Sequence, residues 1–78
     1  MPTIATFGAC KVRMYPGDHN PPHVHVEHPD GRASISIRDR KILAGTLPDA
    51  VYSELKEWMK KQETELLAEW ARLNERDD

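Results

Sequence analysis

The chain has 78 residues, of which 38% are hydrophobic and 31% are charged, and its formal net charge is −2. This length suits one domain spanning residues 1–78 and leaves little room for a second core. The single cysteine excludes an internal disulfide framework and a four-cysteine zinc site. No apolar run approaches the roughly 20 residues that a membrane-spanning helix needs, and no basic start with a long apolar stretch opens the chain. We therefore expect a cytoplasmic domain.

Charge is distributed unevenly along the chain. Six basic and four acidic residues precede Pro48, whereas five basic and nine acidic residues follow it. The front half is therefore mildly basic and the back half acidic. This asymmetry is too small to predict nucleic-acid binding by itself.

Four short segments of the front half alternate between apolar and polar residues, as strands do. They are CKVRMY (10–15), HVHVEH (23–28), ASISIR (33–38) and, less regularly, KILAGTL (41–47). PDG (29–31) separates the second and third segments and has turn chemistry, which predicts a tight hairpin. The alternation places apolar side chains on one face of the sheet, namely Val12, Met14, Val24, Val26, Ile35 and Ile37.

Beyond Leu47 the apolar residues recur at spacings of three and four, which is typical of an amphipathic helix. The stripe comprises Val51, Leu55, Trp58, Met59, Leu66, Leu67, Trp70 and Leu73. It is interrupted at Gln62, so we predict one long helix with a bend or two helices that meet near residues 62–64. The fold class is then α+β: an antiparallel meander of three to four strands (about 4–47) packed on a helical part (about 48–75).

The outward face of this sheet carries a patch that could bind a ligand. In a meander, His23 and His25 lie between a strand with Arg13 and Tyr15 and a strand with Ser34, Ser36 and Arg38. Guanidinium and imidazole groups donate hydrogen bonds to anions, so the patch suits an anion, a phosphate backbone or an acidic protein surface. The alternative is a solvated strand face that binds nothing.

A metal site is a second interpretation of the histidines. Residues two apart on a strand project in the same direction, so His23 and His25 could reach one ion, with Asp18 or His19 as a third ligand. Zinc or another divalent metal with three protein ligands and a water would be a catalytic arrangement. His28 stands at odd offset from His25 and should point to the opposite face.

The segment before these histidines is conformationally restricted. Pro21 and Pro22 each fix their own backbone and push the preceding residue towards extended geometry. Such a loop can hold Asp18, His19 and Asn20 at fixed positions for binding at low entropic cost. The alternative is that Asp18 and Asn20 only bond nearby backbone and shape the turn.

Nucleophilic catalysis has less support in the sequence. Cys10 begins a predicted strand, where a small buried cysteine is commoner than a reactive thiol. Trp58 and Trp70 fall in register with the aliphatic stripe and are expected in the core. Any part of the stripe that the sheet leaves uncovered would suit a homodimer or a partner interface.

The stretches MPTI, RMY, DHNPPHVHV and LPDAVYSELKEWMKKQETELLAEW resemble small bacterial proteins catalogued as domain of unknown function 4160. The resemblance runs from Met1 to about Trp70, and DHNPPHVHV is its most specific part. Family members tend to have an aromatic residue where this chain has Val24. The resemblance implies a toxin–antitoxin-like or mobile-element role, because members are often encoded beside another short gene, and it supplies no established activity. The matching positions are Arg13, Met14, Tyr15, Asp18, His19, Asn20, Pro21, Pro22, His23, His25 and Val26.

Together these observations predict a small cytoplasmic binding or regulatory module that is not an enzyme and has no required cofactor. A protein partner or a homodimer is expected, nucleic acid is a further possible partner, and no membrane is involved. The alternative is a metal-dependent or histidine-based hydrolase or nuclease acting on nucleic acid, with a metal held by His19, His23 and His25. The predicted binding residues are Arg13, Tyr15, Asp18, His19, Asn20, His23 and His25.

Overall fold

A computed structural model of the chain describes residues 3–17, 19 and 21–74. Within this part, five strands precede two helices: β1 (Thr3–Phe7), β2 (Cys10–Arg13), β3 (His23–His28), β4 (Gly31–Ser36), β5 (Ile42–Thr46), α1 (Asp49–Lys61) and α2 (Glu63–Leu73). The strands form one antiparallel sheet in the order β1-β2-β3-β4-β5. The α+β meander is confirmed, with five strands where the sequence predicts three to four.

The additional strand is β1. Its sequence TIATF contains no charged residue, so it lacks the contrast between apolar and charged positions that marks the other strands. A two-residue turn joins it to β2, with Phe7 opposite Cys10 and Gly8 at a φ of 59°. Glycine adopts this left-handed conformation without the steric penalty that a Cβ would bring.

The core lies between one face of the sheet and the two helices. Val26 pairs with Val12 on one side and with Ala33 on the other, and all three side chains are buried. The helices contribute four buried side chains, namely Leu55, Met59, Leu66 and Trp70. The predicted apolar face of the sheet is thus confirmed. Trp58 packs against this core but remains partly exposed, with its ring 5.6 Å from that of Phe7.

The helical part divides at Gln62, as one of the two sequence alternatives predicts. Gln62 has φ −100° and ψ 10°, and its N–H donates to the carbonyls of Trp58 and Met59. A link from the β4–β5 connection holds both helices: the Tyr52 hydroxyl donates to the Arg40 carbonyl at 2.6 Å, and the Arg40 guanidinium lies 3.2 Å from Glu63. No helix in residues 3–17, 19 and 21–74 is long and apolar enough to cross a membrane.

Strand β5 is an edge of the sheet and is irregular. The pairing with β4 shifts between Ile42 and Ala44, so Leu43 has no residue opposite it, and 47% of Leu43 is exposed. Gly45 has a φ of +83°, and a Cβ added there would lie 2.2 Å from the Arg32 carbonyl oxygen. The close approach of β4 and β5 therefore requires glycine at this position.

Candidate functional site

The surface of the sheet that faces away from the helices is the candidate site, and we call it the polar face. Strand register arranges its central residues in two rows across β2, β3, β4 and β5. One row consists of Arg13, His25, Ser34 and Ala44, and the next consists of Lys11, Glu27, Arg32 and Thr46. The polar face thus brings His25 beside Arg13 and Ser34, two of the neighbours that the alternation predicts.

A recess of about 340 Å³ opens on the polar face. Larger side chains surround it, namely Tyr15, His25, Glu27 and Arg32. The space exists because the residues on the β4–β5 side are small: Ser34, Ala44 and Gly45. A volume of this size is at the lower end of the range for small-ligand sites.

The charges on the polar face do not balance. The Arg13 guanidinium lies 3.5 Å from the Glu27 carboxylate, and the buried Arg13 Nε has no hydrogen-bond partner among the described residues. The exposed side chains of Lys11 and Arg32 form no ion pair or hydrogen bond with another described residue. Since Arg13 neutralises Glu27, the polar face carries an excess of positive charge beside the recess.

His23 differs from His25 in burial, although both belong to the same side of β3. Four rings follow one another from the polar face into the core: Tyr15 and His25 at 4.9 Å, His25 and His23 at 5.0 Å, and His23 and Trp70 at 5.2 Å between centroids. His23 is only 8% exposed, and its Nδ1 lies 2.8 Å from the Pro21 carbonyl oxygen. The prediction that the His23 side chain is exposed on the polar face is wrong, because Trp70 of α2 packs against its ring.

The three-histidine metal site of the sequence hypothesis is not assembled. Among the described residues, no three or more His, Cys, Asp or Glu side chains are grouped closely enough to hold a metal ion. His19 is exposed, His23 Nδ1 is close to a carbonyl, and His25 Nδ1 is 3.4 Å from the Ser34 hydroxyl. These residues do not fit a bound zinc ion as a set. Asp18, the other proposed ligand, lies outside the described residues.

The loop before β3 is hydrogen-bonded to later parts of the domain at both of its ends, and near β3 the Pro22 carbonyl accepts from the Ile37 N–H at 3.0 Å. The Gly17 N–H donates to Asn74 Oδ1 at 2.9 Å, and Asn74 Nδ2 donates to the Trp70 carbonyl at 3.0 Å. The loop and the end of α2 are therefore joined. Asn20, a predicted binding residue on this loop, also lies outside the described residues.

The Cys10 thiol and the His28 imidazole, which could in principle act in catalysis, have structural roles. Burial, reinforced by the negative charge of Glu54, raises the pKa of the Cys10 thiol, which disfavours the nucleophilic thiolate. His28 Nδ1 accepts a hydrogen bond from the Asp30 N–H at 3.0 Å and so stabilises the β3–β4 turn. His28 is not among the residues that line the recess beside His25.

Arg32, Ala44 and Gly45 are site residues that the sequence reasoning missed. The predicted third strand begins at Ala33, whereas β4 begins at Gly31 and so includes Arg32. Extending the alternation of Ser34 and Ser36 back by two residues would have placed Arg32 on the polar face. Ala44 and Gly45 carry no such signal, because they contribute by being small.

One of the comparisons with known proteins gives a match. The model of a family described as "Domain of unknown function (DUF4160)" matches residues 10–71, which run from β2 into α2 and include both rows of the polar face. No curated protein and no solved structure matches the chain. Because the family match covers more than half of the sequence, the chain belongs to the family called domain of unknown function 4160.

Proposed function

We propose that this protein is a non-enzymatic binding or regulatory module that recognises an anionic surface of a protein partner through the polar face. The observation that carries this proposal is the recess flanked by Arg32, a guanidinium with no ion-pair partner among the described residues. An exposed arginine can form paired hydrogen bonds with a carboxylate or a phosphate, which gives it geometric specificity.

The distribution of charge over the two layers supports an anionic partner. The strands contain three basic residues, Lys11, Arg13 and Arg32, and one acidic residue, whereas α1 and α2 contain six acidic and four basic residues. An approaching anion is therefore attracted to the sheet and repelled by the helical layer. The setting of the proposal is a toxin–antitoxin-like or mobile-element system in the bacterial cytoplasm, and the single buried cysteine is compatible with a reducing compartment.

A histidine-based hydrolase or nuclease is the second candidate. The observation in its favour is His25, which lies 3.4 Å from the Ser34 hydroxyl and borders the same recess as Arg32. Histidine can act as a general base, and a nearby arginine can stabilise charge on a phosphate. The metal-dependent form of this hypothesis has no ligand set among the described residues.

The binding proposal is tested by co-expression with the product of the adjacent gene, followed by measurement of the dissociation constant. We expect Arg32→Ala to weaken this complex about tenfold, because one charge-assisted hydrogen-bonded contact is lost. Lys60→Ala is the matched control, since Lys60 is an exposed cation on α1. Equal affinities of the Arg32→Ala variant and the unaltered protein would refute recognition through this face.

The enzyme candidate is separated from binding by an RNA cleavage assay. A histidine-based nuclease requires that His25→Ala abolish cleavage while the folded structure persists. If purified protein and the His25→Ala variant release products at the same background rate, the enzyme candidate is eliminated.

Light scattering at high protein concentration tests for a homodimer, which would appear at twice the mass of the 8.9 kDa chain.

A further inference from the structure

We propose that the partner docks as an extended acidic segment along the free edge of β5, where it adds a sixth strand to the sheet. This inference rests on the proposed function and specifies the form of the protein partner. In this mode of recognition the backbone of the edge strand supplies hydrogen bonds, and alternate side chains of the added strand supply specificity.

The edge of β5 is accessible. β5 is the last strand in the sheet order, and its residues from Leu43 to Thr46 are all exposed. No charged residue or proline lies between Ile42 and Thr46, although these are the residues that commonly protect an edge against strand addition. In the described part of the chain, Leu43 is the one exposed large hydrophobic side chain.

The irregularity of β5 limits the number of residues over which a docked strand can pair with it. Leu43 has no residue opposite it on β4, and Gly45 adopts a positive φ, so the strand is bent at both positions. A docked strand can therefore follow β5 over only a few residues. A short contact of this kind needs side-chain recognition in addition to backbone pairing.

The recess supplies that recognition, because it is continuous with the edge. Ala44 and Gly45 belong to β5 and also line the recess. An added strand would lie about 4.8 Å from β5 and about 10 Å from β4, and every second side chain would point to the polar face. Ala44 lies opposite Ser34 and diagonal to Arg32, and since Ala44 is small, a long side chain beside it can reach over β5 into the recess that Arg32 borders.

The charge of the recess determines the chemistry of the segment. Arg32 borders the recess and Lys41 precedes β5, and both are exposed. Carboxylates on the polar side of the docked strand would pair with these cations. A second copy of this chain does not offer such a segment in β5, because residues 41–47 contain one lysine and no acidic residue.

The experiment uses fluorescein-labelled peptides of eight residues and measures fluorescence anisotropy. The probe alternates glutamate and valine, a second peptide replaces glutamate with lysine, and a third carries N-methyl groups on alternate backbone amides of the glutamate peptide. We expect binding by the glutamate peptide, and affinities at least about tenfold weaker for the other two. Equal binding of the N-methylated peptide would refute strand addition, and equal binding of the lysine peptide would refute acidic recognition.

Protein variants locate the contact. Leu43→Asp places a repulsive carboxylate on the edge at an exposed position and should weaken binding of the glutamate peptide about tenfold. Thr64→Asp, at an exposed position of α2, adds the same charge away from β5 and should leave binding unchanged. Equal effects of the two substitutions would overturn the proposal.

Further outcomes separate this inference from the proposed function. If Arg32→Ala weakens the complex with the adjacent gene product but Leu43→Asp does not, the polar face binds the partner and the edge inference fails. A dimer that dissociates on Leu43→Asp would assign the edge to a second copy of the chain. Tighter binding of a 12-nucleotide RNA than of the glutamate peptide, with loss on Arg32→Ala, would assign the recess to nucleic acid. Each of these results overturns docking of an acidic segment.

Discussion

The imidazole of His23 is fixed from several sides. Its Nδ1 is at hydrogen-bond distance from the Pro21 carbonyl, one ring neighbour belongs to β3, and the other, Trp70, belongs to α2. A buried polar ring held in this manner fixes the strand, the preceding loop and the helix relative to one another. His23 is therefore part of the structure of the domain, whereas His25 borders the recess.

The two histidines should consequently differ in their effect on stability. We predict that His23→Ala lowers the free energy of unfolding by about 2–3 kcal/mol, because it removes buried ring contacts and a hydrogen bond. His25→Ala, at a partly exposed position, should cost about 1 kcal/mol or less. Urea denaturation followed by tryptophan fluorescence measures both. Equal losses in the two variants would contradict the distinction.

The Cys10 thiol gives a pH-dependent prediction. Its pKa in the folded protein is raised above the ordinary value of 9.0, because burial and the Glu54 carboxylate disfavour the thiolate. The folded state therefore favours the protonated form. This contribution to stability is complete below the unfolded pKa and is lost as the pH rises through the folded pKa.

We expect the protein to lose more stability than Cys10→Ala as the pH rises above about 9. Unfolding free energies of the two proteins at the same pH values provide the measurement, and the variant corrects for other groups that titrate in this range. Parallel pH profiles would show that Cys10 ionises equally easily in the folded and unfolded chains.

The position of His25 follows from the sequence, whereas the burial of His23 does not. Alternation places His25 between the strand with Arg13 and the strand with Ser34, since consecutive strands of a meander are neighbours. The burial of His23 could not be predicted in the same way, because it depends on where α2 ends relative to β3. No local pattern encodes that position, which results from packing of the complete helical layer.

At the scale of elements, the pairing of β4 with β5 depends on glycine. Gly45 and Gly8 both have positive φ, but only Gly45 faces a neighbouring backbone, and nothing lies within 4 Å of a Cβ added at Gly8. Alanine at position 8 would therefore meet backbone strain alone, whereas alanine at position 45 would also clash with the neighbouring strand.

We predict that Gly8→Ala costs about 1 kcal/mol and Gly45→Ala about 3 kcal/mol or more in unfolding free energy. The larger effect arises because the Arg32 carbonyl must move away from the new methyl group, which disturbs the β4–β5 ladder. Thermal or urea denaturation monitored by circular dichroism tests this ranking. A Gly45→Ala variant as stable as Gly8→Ala would contradict the close approach of the two strands.

The elements themselves were largely accessible from sequence, and for identifiable reasons. β3 was predicted with its observed bounds, because valine and histidine alternate without interruption. The break at Gln62 was signalled by the interrupted apolar stripe. β1 was missed because TIATF mixes apolar residues with threonine and has no charged residue to mark a polar face. It forms a strand by pairing with β2.

At the scale of the whole molecule, the basic sheet and the acidic helices make the domain electrostatically two-sided. Such a distribution affects how a partner approaches more than how tightly it is finally held. Long-range attraction of this kind is screened at physiological ionic strength over about 8 Å. The rate of association is therefore the quantity that reports on it.

We predict that the association rate constant for the adjacent gene product falls as salt is added, and that Arg32→Ala shows a shallower dependence. Stopped-flow fluorescence at several salt concentrations measures the slope. Lys60→Ala should retain the slope of the unaltered protein, because Lys60 lies on α1, whereas the polar face lies on the sheet. The same slope in all three proteins would show that Arg32 does not steer the partner.

The bond between Gly17 and Asn74 joins positions 57 residues apart. The β3–β4 hairpin closes over a short stretch of chain, whereas β3, β4, β5 and both helices lie in sequence between the two ends of this contact. We expect interactions of Asn74 to be absent from the folding transition state, so that Asn74→Ala accelerates unfolding and leaves the folding rate nearly unchanged. The contact between Gly17 and Asn74 would then form late in folding, and the Gly17 amide should exchange with solvent sooner than the amides of β3.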